Sequence, residues 1–153
     1  MKSKVGIVGD GNVGSALARG LTRAGYEVRA VGKSPREVQD TGAWADVVIL
    51  AVPYGAIDDA IRELGEGIAG KTLVDVTNAL TAEMQLASGC TTSGAEAIQQ
   101  KARAAKVVKA FNTQFASHMD TGVIDGQQLT TFAAGDDLEA KEQVIRMARD
   151  IGF

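Results

Sequence analysis

Residues 5–14 read Val5-Gly6-Ile7-Val8-Gly9-Asp10-Gly11-Asn12-Val13-Gly14. The first four form a short apolar run closed by glycine, the pattern of a strand buried on both faces of a parallel sheet. From Asn12 the spacing changes. Val13, Ala16, Leu17, Gly20, Leu21 and Ala24 recur at helical intervals, and Gly25 follows as a C′ residue. Between strand and helix lies G-x-G-x-x-G, with glycines at 9, 11 and 14. Alone that pattern is weak, but a strand before it and a helix after it supply the context that gives it meaning. One glycine makes the tight turn, another lets a pyrophosphate approach the backbone, and the last packs helix against strand. The helix N-terminus then offers free N–H groups and a positive dipole end to the anion. The competing reading is a tight strand–helix turn with no ligand.

Outward from this loop, short β-branched runs alternate with helical patterns. Glu27–Val31 reads as a second strand, and Ser34-Pro35-Arg36-Glu37 as a helix start with Ser at N-cap and Pro first, cut short by Gly42. Asp46–Val52 is the strongest strand, stopped by Pro53. Ile57, Ile61, Leu64 and Ile68 mark a helix, Lys71–Val76 a fourth strand, and Thr81–Ser93 the least structured stretch. A helix through Ala95, Ile98, Ala102 and Ala105 leads into a fifth strand, Lys106–Ala110. Asp125-Gly126 marks a turn, Leu129–Ala134 a sixth strand, and Leu138–Ile151 the last helix. No repeat or linker interrupts this order. The expectation is one domain over residues 1–153: an α/β, Rossmann-type, doubly wound, mostly parallel sheet with helices on both faces.

Composition agrees. Glycine accounts for 18 of 153 residues, above the usual share of roughly 7%, while proline occurs twice and 45% of residues are hydrophobic. Such glycines serve folded turns rather than disorder. Aromatics make up 5%, so the core is aliphatic. A net charge of −3 argues against a nucleic-acid partner and against a polybasic membrane surface. Cys90 is the lone cysteine, which excludes an intrachain disulfide; no apolar stretch has transmembrane length, and a cytoplasmic protein is expected. Metal-ligand spacing is absent.

The end of the second strand separates NAD from NADP. NAD sites carry an acid there, about 20 residues past the glycines. Here the residues are Gly32-Lys33-Ser34-Pro35-Arg36, with no acid before Glu37. Lys33 and Arg36 supply positive charge and Ser34 a hydroxyl at a helix start, a set suited to a 2′-phosphate. Ordinary N-capping by Ser34, and a solvated loop for the two cations, are the alternatives.

Several segments together resemble one family: residues 9–14, Val48-Ile49-Leu50-Ala51-Val52-Pro53, Leu73-Val74-Asp75-Val76-Thr77-Asn78, Ser93-Gly94-Ala95-Glu96-Ala97, Val107-Val108-Lys109-Ala110-Phe111-Asn112-Thr113 and Ala134-Gly135-Asp136-Asp137. This set resembles the coenzyme F-420-dependent NADP oxidoreductases, and is similar to the cytosolic reductase domain of the STEAP metalloreductases. The resemblance implies NADP(H) as cofactor and hydride transfer to or from coenzyme F-420 or a flavin (FMN or FAD). Carried over by position, it puts Asn12 and Val13 beside the pyrophosphate and Lys33, Ser34 and Arg36 on the 2′-phosphate. Ala51, Val52 and Pro53 would line the ribose–nicotinamide side, and Asn78, Phe111, Asn112 and Thr113 would border the transfer site. No residue is assigned as a catalytic acid or base, because the hard chemistry belongs to the cofactors.

The chain departs from the family where Asn78-Ala79 replaces Asn-Pro and where Lys33-Ser34 replaces a serine–arginine pair. Only 13 residues separate Gly32 from Asp46, and the chain stops at Phe153 where family members continue. That stop raises the expectation that a second copy or a partner chain covers the nicotinamide face. Two other functions stay open: a non-catalytic NADP(H)-binding module, and a reductase of a small imine or carbonyl compound. His118 is read as a packing or capping residue, Cys90 as a bystander and Trp44 as a cover for the second helix. Asp75, inside an apolar strand, is expected to bond backbone amides near the site, and Asp136-Asp137 to charge a helix N-terminus.

Overall fold

The computed structural model describes residues 2–153. Five parallel strands, β1 (Lys4–Val8), β2 (Glu27–Val31), β3 (Val47–Leu50), β4 (Thr72–Asp75) and β5 (Lys106–Ala110), pair in the order β2-β1-β3-β4-β5. A two-residue antiparallel strand, β8 (Ala133–Ala134), closes the far edge against β5. Successive strand residues point to opposite faces, so each buried strand feeds two cores. On one face Val5, Ile7, Val47, Ile49, Val74 and Val108 pack against α1 (Asn12–Arg23) and α5 (Leu138–Ile151). On the other, Val8, Val48, Leu50, Leu73 and Val107 pack against α2 (Pro35–Trp44), α3 (Ile57–Leu64) and α4 (Gly94–Lys101). The sheet is therefore doubly wound, as the alternating pattern predicts.

Local chemistry sets the helix ends. At the end of α1 the Tyr26 N–H donates to Leu21 O at 3.0 Å and the Gly25 N–H to Thr22 O at 2.9 Å, with Gly25 at φ +87°. This is a Schellman ending, and its left-handed residue is the glycine the sequence offers. Helix α4 starts with a capping box: the Glu96 N–H donates to Ser93 Oγ at 3.1 Å and the Ser93 N–H to Glu96 Oε2 at 2.6 Å. Asp137 caps α5 by accepting from the Ala140 N–H at 2.9 Å.

Some expectations are corrected. Gly42 does not stop α2, which runs on to Trp44; a Cβ at Gly42 would stand 2.7 Å from Leu64 Cδ2, so the glycine admits α3. Ser34 is the N-cap of α2 but its hydroxyl makes no capping bond. The sixth strand shrinks to Ala133–Ala134, and Asp125-Gly126 turns a separate small hairpin, β6 (Val123–Ile124) with β7 (Gln127–Gln128). Thr81–Ser93 carries no helix or strand, yet it is tied by an isolated bridge between Leu80 and Leu86.

Candidate functional site

The chain order reverses at β1: β2 lies on one side of it and β3, β4 and β5 follow on the other. In such sheets ligands bind beyond the carboxyl ends of the strands at this switch point. The loops leaving β1 and β3 meet there. Gly9 has φ +113°, and a Cβ on it would stand 2.2 Å from Ala51 O. A Cβ on Gly14 would stand 1.9 Å from Gly9 O, so α1 seats directly on the loop. Gly11 differs: at φ −72° it is the N-cap of α1, and a Cβ there would meet nothing within 4 Å. Two glycines are thus demanded by packing, while the third presents bare backbone to open space. That is the arrangement a pyrophosphate needs, with Asn12 exposed and Val13 half-buried at the helix start.

Beside this loop lies the β2 tip. Lys33 and Arg36 are exposed, and the Ser34 hydroxyl is free of capping duty. Arg36 has a loose contact with Asp40 at 3.9 Å, both side chains being largely solvated. Surface pairs of this kind contribute little and leave the guanidinium available. A residue outside the expected set stands here as well: Asp10 Oδ2 lies 3.0 Å from where a Gly32 Cβ would be. The strand pairing that brings Val8 opposite Val31 is the signal that finds it, since it sets residues 9–10 beside residue 32.

Beyond β4 and β5 the remaining motif residues converge. The Asn112 Nδ2 donates to Asn78 Oδ1 at 3.3 Å. Beneath them, buried Asp75 accepts from the Thr77 N–H at 2.8 Å and the Thr77 hydroxyl at 2.7 Å, and pairs with Lys109 Nζ at 3.0 Å. Lys109 also donates to Thr77 O. A cleft of about 590 Å³ opens here, lined by Asn78, Ser93, Lys109, Asn112 and Asp136 among others. Val52 is half-buried, Pro53 and Thr113 are exposed, and Tyr54 follows in a short turn, Tyr54–Ala56. Phe111 contributes differently from its neighbours. Its side chain is 1% exposed and meets Phe153 edge-on at 5.8 Å, so it anchors the loop in the core. What it offers the site is a left-handed backbone, φ +65°, that turns the chain into Asn112.

The other singled-out residues stand apart. His118 lies in the turn Ala116–His118, and among the described residues its ring has no hydrogen bond. Cys90 is exposed. Trp44 is half-buried under the Arg29 guanidinium, 3.9 Å from its ring centre. Two groups near the cleft are electrostatically tuned. The Ser93 backbone and hydroxyl hold Glu96 below its ordinary value, and the Ala140 amide does the same for Asp137.

Fold and loop together define a Rossmann-type α/β domain carrying the glycine turn of dinucleotide-binding proteins. Residues 4–79 match the family described as NADP oxidoreductase, coenzyme F420-dependent. Over that stretch the chain is similar to this family of NADP-dependent oxidoreductases. It is 32% identical to the metalloreductase STEAP3 of Rattus norvegicus, across 98% of this chain and 32% of that protein. The chain thus spans about a third of the length of the curated relatives it matches. Among solved structures, a protein proposed to be an F420-dependent NADP reductase from Arthrobacter sp. FB24 superposes with a TM-score of 0.89 at 29% identity, covering 98% of this chain and 81% of that one. The hypothetical protein SMa0349 of Sinorhizobium meliloti gives 0.83 at 28% identity, covering 100% and 82%. No helix among the described residues is long and apolar enough to cross a membrane.

Proposed function

We propose that this chain binds NADP(H) and acts as an oxidoreductase domain, passing hydride between NADP(H) and a deazaflavin (coenzyme F-420) or a flavin (FMN or FAD). The observation that carries the reading is the division among the loop glycines: Gly9 and Gly14 are closed by contacts while Gly11 faces open space at a helix start. The free N–H groups at Gly11, Asn12 and Val13 would hold the pyrophosphate. Lys33, Ser34 and Arg36 would take the 2′-phosphate through charge-assisted hydrogen bonds. Ala51, Val52 and Pro53 would flank the ribose and nicotinamide. The Asn78–Asn112 pair, with Thr113 and the turned backbone of Phe111, would set the floor on which two flat rings meet. The bound cofactors supply the hydride and receive it; the chain supplies distance, orientation and exclusion of water. We also propose that a second copy of this chain or a partner chain covers the nicotinamide face, and that the setting is cytoplasmic.

The match to the NADP oxidoreductase family and the likeness to the Arthrobacter protein support the NADP side of this reading. The test is stopped-flow oxidation of NADPH with F-420, FMN and FAD offered in turn. Oxidation with at least one of them is expected. Tight NADPH binding without turnover on any of the three would instead leave a binding module without its own chemistry.

A further inference from the structure

NAD-binding domains of this class hold the adenosine ribose with an acid at the tip of the second strand. After β2 this chain has Gly32-Lys33-Ser34, and no acid. The fold nevertheless brings a carboxylate to that place. β1 and β2 run parallel with Val8 opposite Val31, and the Gly9 N–H donates to Val31 O at 2.8 Å. The next residue, Asp10, therefore leaves its strand beside Gly32. Its two carboxylate oxygens lie 3.0 and 3.5 Å from where the first side-chain atom of residue 32 would stand. The Asp10 carbonyl accepts from Ser15 Oγ at 2.9 Å, which fixes the residue's backbone. Among the described residues its carboxylate has no hydrogen bond and no salt bridge, and it is exposed, as are Lys33 and Arg36 just past the neighbouring strand.

We propose that Asp10 supplies, from the glycine loop, the ribose-hydroxyl acceptor that the strand tip lacks, and so admits NAD(H) to a site whose Lys33, Ser34 and Arg36 favour NADP(H). The inference rests on the dinucleotide reading above. A carboxylate accepts strongly from the 2′- and 3′-hydroxyls of NAD(H). The same carboxylate repels a 2′-phosphate, which carries nearly two negative charges at neutral pH. Asp10 and the two cations thus pull in opposite directions. The cations keep NADP(H) ahead, and Asp10 narrows the margin.

The test measures, by titration calorimetry, dissociation constants of NADP+, NAD+, 2′,5′-ADP and 5′-AMP for the wild type and for Asp10→Asn, with Asp10→Ser as a second variant. Melting without ligand checks that each variant folds. Loss of a unit charge beside the phosphate should tighten NADP+ and 2′,5′-ADP on the order of tenfold in a water-like dielectric. NAD+ and 5′-AMP should weaken by roughly a similar factor as the charge-assisted bond is lost. Equal shifts for both dinucleotides, or no shift in either, would overturn the role of Asp10 and leave the dinucleotide reading standing. Failure of the wild type to bind either dinucleotide would overturn both.

Discussion

Asp75 on β4 and Lys109 on β5 are direct partners in the strand register and form an ion pair at 3.0 Å. The Asp75 side chain is 0% exposed and that of Lys109 22%. Both groups also engage Thr77, Asp75 through its amide and hydroxyl and Lys109 through its carbonyl. One buried pair thereby secures the turn that delivers Asn78 to the end of β4.

Lys109→Met should leave the Asp75 carboxylate buried without its cation. The expected loss is about 3 kcal/mol, read as a lower urea midpoint. The double variant Lys109→Met/Asp75→Leu removes both charges and should regain much of that loss. Additive losses in the two single variants would show that the pair is not coupled.

The loop glycines should separate fold from binding. Gly14→Ala forces a Cβ to 1.9 Å from Gly9 O and should lower the melting temperature sharply. Gly11→Ala meets no atom within 4 Å and has φ −72°. Its stability cost should stay near the roughly 1 kcal/mol or less typical of an N-cap change. Yet its methyl group stands where the anion would approach, so NADP+ affinity should fall by at least about tenfold, the equivalent of one charged hydrogen bond. Calorimetry and thermal melting on the same two samples check this.

Lys33→Ala and Arg36→Ala should each weaken NADP+ by about tenfold, the lower end for a charged hydrogen bond. NAD+ affinity should hardly change. Because both groups are solvated, the NADP+ preference should also shrink as salt rises.

Stability should fall on both sides of neutral pH. The hydrogen bond from Lys2 lowers the Asp150 carboxyl, and amide hydrogen bonds lower Asp137 and Glu96. Depressed carboxyls contribute stability that is full above their unfolded values of 3.8 and 4.5 and is lost as pH falls through their lower folded values. Burial, then the bond to Asp150, raises the Tyr26 phenol above its ordinary 10.0. That contribution is full below 10.0 and is lost as pH rises through the higher folded value. Melting temperature against pH should show both shoulders, and Lys2→Ala should flatten the acid one.

The strands β2 and β5 fall on the residues expected from the sequence, Glu27–Val31 and Lys106–Ala110, because β-branched runs bounded by turn residues encode them locally. The glycine loop and α1 were equally legible, down to the ending at Gly25. What escaped depends on the partner element. Gly42 looks like a helix stop until Leu64 of α3 is seen against it. Asp10 is an unremarked residue inside a motif until strand pairing sets it beside Gly32. Phe111 belongs to a motif bordering the site, yet its ring faces Phe153 at the other end of the sequence and only its backbone serves the loop.

The most direct measurement is a paired titration of the purified chain with NADPH and NADH at moderate salt. Saturable binding of NADPH, tighter than that of NADH, is the expected result. No saturable NADPH binding, or equal dissociation constants for the two, would contradict the assignment of Gly11, Lys33, Ser34 and Arg36 to an NADP(H) site.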